Sequence, residues 1–551
     1  MEIAISFALA LFISTALVPV AIRYAPVLGL VDEPDGDRKI HEAPIPRCGG
    51  LAIIMAVFIP TLFWLGDVSS LSGFFIGAAI IALSGFLDDR YDLDYKWKFI
   101  SQIIGVAVFL LGNVEITKTP FLGLGDITPW LSYPLMALYI LGVTNAVNLS
   151  DGLDGLAAGS SLLSLGFIGY LSYIAGEMSL ALVAGATMGG LLGFLRFNTH
   201  PASVFMGDAG SQFLGFVAAC LAILATQSPS SAVSPILAIM VVGLPILDTL
   251  AVMLLRMRDG QSPFHPDKRH IHHQFLTLGL LHYQSVAALY LLNFVLLSIA
   301  YFVRFETDLL VLFLYLLFCT TTLGLICFLK HSKFSQHRRE KRAENGERRN
   351  LWLRRIGWIY SHGALVIQCF LGAIWLALVW SSEYIDISLS VISLVIAVIT
   401  ILTWTKFSGS RFFTRFLLYS MSVFTVFIAS YHHDLSLLSW GEGKLYIDAL
   451  IAVLVVVLIL SIRMTRRELF RLDTQDILVL LLLGASSVLV VGFDSGDQVL
   501  SAIIRLAVLL YASEYIVGRA KDFHITKIFT TLIFIVISVY GFLTLYWGWQ
   551  H

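Results

Sequence analysis

Apolar runs of roughly 20 residues, each long enough to cross a bilayer core as a helix, follow one another along this chain with polar breaks between them. Measured with that ruler, the sequence predicts about eighteen spans, about eleven before Lys330 and about seven after the basic stretch 330–355. The short run at 98–111 and the Gly-rich run at 181–195 fit least well. The first run, from Ile3 to about Ala21, has no basic residues ahead of it and no small-residue cleavage site behind it. It therefore reads as the first span and not as a removable leader.

Composition agrees with this pattern. Of 551 residues, 58% are hydrophobic and 13% charged, against roughly 25% charged in a soluble domain, and the mean hydropathy is +0.83. The expected fold class is an all-α polytopic integral membrane protein. The net charge of -1 says nothing about partners, and no nucleic-acid partner is expected. Cys48, Cys220, Cys319, Cys327 and Cys369 are scattered without a CxxC pair, so neither a disulfide framework nor a cysteine zinc site is indicated.

Where the charges sit is more informative. With the N-terminus outside, the inside loops collect Arg23, Arg38, Lys39, Arg47, Arg90, Lys96, Lys98, Arg256, Arg258, Lys268 and Arg269, then the dense stretch His331 to Arg355. Arg463, Arg466, Arg467, Arg471, Arg519, Lys521 and Lys527 continue the bias, and only Lys118, Arg304 and Lys444 fall outside. This asymmetry is the signature of cytoplasmic loops. The organisation expected is a first polytopic domain over 1–330, a basic cytoplasmic linker over 331–355 held by anionic lipid, and a further transmembrane region over 356–551.

Five polar segments then share the inside face. They are Asp32 to Arg47 (DEPDGDRKIHEAPIPR), Asp88-Asp89-Arg90-Tyr91-Asp92, Asn145 to Gly155 (NAVNLSDGLDG), Asn198 to Ser211 (NTHPASVFMGDAGS) and Pro263 to His273 (PFHPDKRHIHH). Carboxylates against membrane helix ends are expensive, so a cluster of them argues for function. Asp88, Asp89, Asp151, Asp154 and Asp208 supply hard oxygen ligands suited to Mg²⁺ and a phosphate group. Taken singly, each segment has a plainer reading. Asp88-Asp89 can be a solvated helix end, DGLDG a tight turn, GDAGS a helix N-terminus, and His270, His272 and His273 loop histidines or a transition-metal site without a fourth ligand. The convergence of all five on one face outweighs those readings.

Four stretches carry a resemblance to a known family: GFLDDRYDL at 85–93, NAVNLSDGLDGLAAG at 145–159, RFNTHPASVFMGDAGSQFLG at 196–215 and HPDKRHIHHQF at 265–275, with Pro245 to Asp248 (PILD) beside them. They resemble the polyprenyl-phosphate N-acetylhexosamine-1-phosphate transferases, the WecA- and MraY-type members of glycosyltransferase family 4, over roughly 1–330. The resemblance implies an eleven-helix transferase core. It also implies transfer of a sugar 1-phosphate from a UDP-N-acetylhexosamine to polyprenyl (undecaprenyl) phosphate, releasing UMP, at the cytoplasmic face of a bacterial inner membrane. That reaction initiates cell-envelope polysaccharides such as lipopolysaccharide or O-antigen.

By the same resemblance Asp208, with Asp89 and Asp88, holds Mg²⁺ (or Mn²⁺), and Asp88 is the base toward the acceptor phosphate. Asn145, Asn148, Asp151, Asp154 and Asn198 line the nucleotide-sugar pocket, Phe205 stacks on uracil, and Lys98 contacts phosphate. His270, His272 and His273 bind the donor diphosphate or sugar. The spaced His-Ile-His-His is similar to the WecA branch, which implies UDP-GlcNAc. Direct displacement and an aspartyl-phosphate intermediate both remain open, and the rival class is a lipid-linked-glycan transporter or assembly protein. Residues 356–551 carry no readable motif; Glu514 is the one acidic residue placed inside a span there.

Overall fold

A computed structural model describes residues 2–33, 44–65, 69–112, 129–227, 232–262 and 269–331, and, further on, 357–380, 387–403, 411–431 and 524–548 with short pieces between. Outside the described residues lie most of the basic linker 331–355, Arg38 and Lys39, the PFHPDK part of the histidine segment, and Glu514. The described residues form two compact units, one before Lys341 and one after Arg342.

The first unit is a helical bundle. Its elements are α1 (Glu2–Leu28), α2 (Gly49–Trp64), α3 (Ser72–Tyr91), α4 (Tyr95–Leu111), α5 (Pro129–Ser150), α6 (Leu156–Ile174), α7 (Met178–Asn198) and α8 (Gly207–Gln227). The short α9 (Leu237–Val241), α10 (Gly243–Arg258), the short α11 (Ile271–Thr277), α12 (His282–Phe302) and α13 (Asp308–His331) follow. Eleven of these have 16 residues or more, including the runs at 98–111 and 181–195 that fitted the ruler least well. Across both units, eight described helices are long and apolar enough to cross a membrane. The chain is an all-α, multi-pass membrane protein. Its only β-structure among the described residues is a two-residue antiparallel pair, β1 (Val31–Asp32) with β2 (Ile45–Pro46).

Residue type sorts the helices by depth. α8 is apolar all round and almost wholly buried, packed by α2, α3, α5 and α6, as expected for the central helix of a membrane bundle. By contrast, α4 turns Phe99, Ile100, Ile103 and Ile104 outward, and α13 turns out Leu309, Phe313, Leu316 and Leu317. In water such faces would be a liability, whereas lipid solvates them without cost while the helices satisfy their own backbone. The core between them, including Phe109, Phe194, Phe213 and Phe216, is closed.

Small residues set how closely α8 is approached. A Cβ built on Gly85 of α3 would lie 2.5 Å from the Cα of Ala209, so only glycine allows the end of α3 to reach the first turn of α8. That close approach brings the chemistry of the two helix ends together. The second unit has helices at Gly357–Trp380, Ile387–Leu402, Arg411–Tyr431 and His524–Gly548 around its own apolar core, which includes Ile374, Leu378, Met421 and Phe534.

Candidate active site

α3 ends on a left-handed Asp92 (φ 51°), whose amide donates to the Asp88 carbonyl at 2.8 Å. The turn that follows sends α4 back alongside α3, and Asp88 Oδ1 accepts the Leu93 amide at 2.9 Å. One turn into α4, Lys98 reaches across: its Nζ lies 2.6 Å from Asp88 Oδ2 and 3.6 Å from Asp208 Oδ2. Asp88 is 4% exposed, and its Oδ2 has no well-aligned hydrogen bond beyond this ion pair. Two carboxylates thus share one ammonium, so when both are ionised an excess of negative charge remains at the partly exposed side of Asp208.

Asp89 is differently employed. Its Oδ1 accepts the Asp208 amide at 2.8 Å and its Oδ2 the Ala209 amide at 2.9 Å. It therefore caps α8 from a neighbouring helix, where two of the otherwise unpaired first-turn amides and the positive end of the helix dipole favour an anion. Asp88, Asp89 and Asp208 do not close on a single point, because both Asp89 oxygens are aimed at these amides.

Behind the carboxylates lies a polar layer. Asn145 and Gln102 exchange amide hydrogen bonds of 2.9 and 3.5 Å, Gln102 donates to Gln212 Oε1 at 3.0 Å, and Ser211 donates to Asn148 Oδ1 at 2.7 Å. Asn198, 2% exposed, joins two loops: its Oδ1 accepts the Gly155 amide and its Nδ2 donates to the Val204 carbonyl, both at 2.9 Å. Asn145 and Asn198 thus spend their polar ends on the protein. Phe205, half-buried, is held by backbone bonds to Pro46 and Gly49, which anchors the β1–β2 pair to the site. Beside it Arg47 and Asp32 form an ion pair.

The turn 151–155 carries two more carboxylates. The Asp151 carboxyl is pushed up to about 7 by burial and then by the negative charges of Asp154 and Asp89. Asp154 Oδ2 accepts from His200 Nδ1 at 2.7 Å and from the Ala202 amide at 3.1 Å. His282, the first residue of α12, approaches the Asp154 carbonyl with Nε2 at 3.4 Å and stacks on His200.

The histidine segment faces inward. Asp248 of α10 accepts the Ile271 amide at 2.7 Å and pairs with His270 Nδ1 at 3.1 Å, while His272 Nδ1 is 4.0 Å away. His270 and His272 are 5% and 3% exposed, and His273 is partly exposed. Burial, with neighbouring His273 contributing, lowers His272 to about 3, so its imidazole is neutral at ordinary pH. A Cβ on Gly152 would sit 2.3 Å from His272 Nε2, so this segment is packed directly against the turn of Asp151 and Asp154.

The sequence reading did not single out His282, Gln102 or Gln212. An isolated histidine after a turn and two glutamines inside apolar runs carry no spacing signal; only the packing of α4, α5, α8 and α12 exposes them.

Residues 71–226 match the family model described as Glycosyl transferase family 4. A Bacillus subtilis (strain 168) protein named probable undecaprenyl-phosphate N-acetylglucosaminyl 1-phosphate transferase is 37% identical over 298 residues, 53% of this chain and 83% of its own. The undecaprenyl-phosphate alpha-N-acetylglucosaminyl 1-phosphate transferases of Yersinia pestis and Escherichia coli (strain K12) are 33% and 31% identical, with 74% and 83% of their lengths covered. These matches take in about half of this chain. With 83% of the Bacillus relative covered at 37% identity, the chain belongs to glycosyl transferase family 4.

Proposed function

We propose that this protein transfers N-acetylglucosamine 1-phosphate from UDP-GlcNAc to undecaprenyl phosphate, releasing UMP and forming the diphosphate-linked lipid sugar. The observation that carries the reading is Lys98 lying between the carboxylates of Asp88 and Asp208 at the N-terminus of the almost wholly buried α8. The names of the relatives support the donor and the acceptor.

The reaction joins two anions, so its main requirement is charge neutralisation. The acceptor phosphate has a second pKa near 6 and is largely ionised without help. One of its oxygens attacks the β-phosphorus of the donor; the bond from that phosphorus to the bridging oxygen breaks, and UMP departs with the electron pair. Lys98 supplies fixed positive potential where the negative charge builds, and the α8 N-terminus adds to it. Asp89 fixes the first turn of α8 and with it the Asp208 backbone. The donor set fits a divalent ion, since two carboxylates share one ammonium. Asp208 and Asp88 would hold Mg²⁺, or Mn²⁺, and the ion would neutralise the diphosphate and the departing UMP.

Asp151, Asp154 and Asn148 face the donor side, with Phe205 offering a ring to uracil and His273 a partly exposed imidazole to the diphosphate. Asn145, Asn198, His270 and His272 act by holding those groups in place. The site occupies helix ends, where a lipid phosphate and a water-soluble donor can meet; the lysine and arginine bias supports a cytoplasmic position for that end, with the N-terminus outside, in a bacterial inner membrane. Direct displacement is preferred over an aspartyl-phosphate, because Asp88 is engaged by Lys98 and by the Leu93 amide.

The test is UMP release by the detergent-purified protein from UDP-GlcNAc, undecaprenyl phosphate and Mg²⁺, beside Asp208→Asn. Release that needs lipid and metal and collapses in the variant supports the reading. Release from UDP-GalNAc alone corrects the donor, and no release from any UDP-hexosamine by folded protein overturns it.

A further inference from the structure

Lys98 reaches Asp208 from α4, a helix that packs on α3 and α5 and turns Phe99, Ile100, Ile103 and Ile104 to the lipid. The distance from ammonium to carboxylate therefore depends on the register of α4 against α8. Positions four apart lie on one face of a helix. Lys98 and Gln102 share such a face on α4, and Asp208 and Gln212 share one on α8. One turn deeper than the 3.6 Å approach of Lys98 to Asp208, Gln102 donates to Gln212 Oε1 at 3.0 Å. Gln102 is 2% exposed and Gln212 1%.

The contact stripe continues inward, where Phe109 meets Phe216 edge to face with ring centroids 6.1 Å apart. An apolar contact of that kind tolerates sliding, whereas a hydrogen bond between amides fixes both distance and direction. Gln102 also exchanges amide bonds with Asn145 of α5, so three helices meet at one side chain. A matching link runs to α3. Ser84, one turn before Asp88, pairs with Ser101, whose hydroxyl donates to the Lys98 carbonyl at 2.8 Å. Filling space between helices needs none of these groups, because leucine would pack there without an amide to satisfy.

We propose that Gln102 and Gln212 are positioning residues: their amide bridge sets the register of α4 on α8 and thereby holds Lys98 at Asp208. They act through that pair and not on substrate. The kinetic consequence rests on the transfer reaction proposed above; the placing of Lys98 does not. Without the bridge α4 can slide, and a displacement of about 1 Å at a group that stabilises the transition state costs up to about 10²-fold in rate.

The test compares full-length wild type, Gln102→Leu and the double variant Gln102→Leu/Gln212→Leu in detergent. The single change strands the Gln212 amide and should lower the melting temperature. In the double variant both amides are gone, Asn145 keeps its own bond to the Leu141 carbonyl at 2.8 Å, and the melting temperature should largely return. Gln102→Met/Gln212→Met, closer in length, replaces the leucine pair if that pair gives no single gel-filtration peak. The result expected is a kcat for UMP release about 10–100-fold below wild type in both variants, with the KM for UDP-GlcNAc within about twofold. Acylation of Lys98, followed by mass spectrometry on the same samples, should be faster in both, because the ammonium no longer stays between two carboxylates. A purely structural role would restore kcat along with melting temperature in the double variant. That result, or Lys98 acylated at the wild-type rate in both variants, would overturn the proposal. No UMP release by the wild type would instead count against the transfer reaction, and the acylation rates would still decide the role of the glutamines.

Discussion

Asp89 accepts the backbone amide of Asp208 at 2.8 Å across 119 residues of sequence, so the carboxylate at the end of α3 fixes the first turn of the helix that carries Asp208. Two adjacent aspartates consequently do different work. Asp88 faces Lys98, whereas Asp89 faces the α8 amides.

This division predicts different defects for the pair. Asp89→Ala removes a cap and is expected to cost about 1–2 kcal/mol of stability, seen as a lower melting temperature in detergent, together with activity. Asp89→Asn keeps one acceptor and should lose less of both. A melting temperature unchanged in Asp89→Ala would contradict the capping role.

Lys98→Met should leave two carboxylates without their shared ammonium and lower kcat by about 10²–10³-fold, the scale of losing one electrostatic stabiliser in a transition state. Because Lys98 is partly exposed at the helix end, folding should persist. UMP release under saturating donor and acceptor measures it.

Gly85→Ala places a methyl 2.5 Å from the Ala209 Cα and 2.6 Å from its N, atoms of a buried backbone that cannot swing away. The helices must separate, and we expect a stability loss above about 2 kcal/mol with loss of turnover. Expression level, thermal melting and UMP release would register it together.

Asp151 gives a pH signature. Its carboxyl titrates near 7 in the folded protein, above the ordinary carboxylate value near 4. The folded state therefore holds this proton more tightly than the unfolded chain does. The resulting stabilisation is complete below about pH 4 and is lost as the pH rises through about 7. Asp151→Asn removes that dependence, so its melting temperature should fall less than that of the wild type between about pH 5 and about pH 8. Parallel pH profiles for the two proteins would disprove the assignment.

Much of the architecture was legible beforehand. Apolar runs longer than a bilayer core can be read one by one, and lysines and arginines mark one side, because burying charge in lipid is costly whatever the tertiary packing. The motif aspartates were legible for the same reason: a carboxylate at the end of a membrane helix is conspicuous in sequence. What could not be read was the direction each one faces. Asp88 and Asp89 are adjacent, yet successive helix positions point about 100° apart, so one meets Lys98 and the other α8.

The sequence by itself determined a polytopic helical protein, its charged side and the aspartates available for chemistry, since these follow from transfer free energies that each segment carries alone. Only the tertiary structure decided that Asn198 joins two loops, that His270 and His272 turn inward to Asp248, and that His200 meets His282 over Asp154. Those relations depend on contacts between helices far apart in the chain, made possible where glycines such as Gly85 and Gly152 let backbone and side chain approach, and no local pattern encodes them.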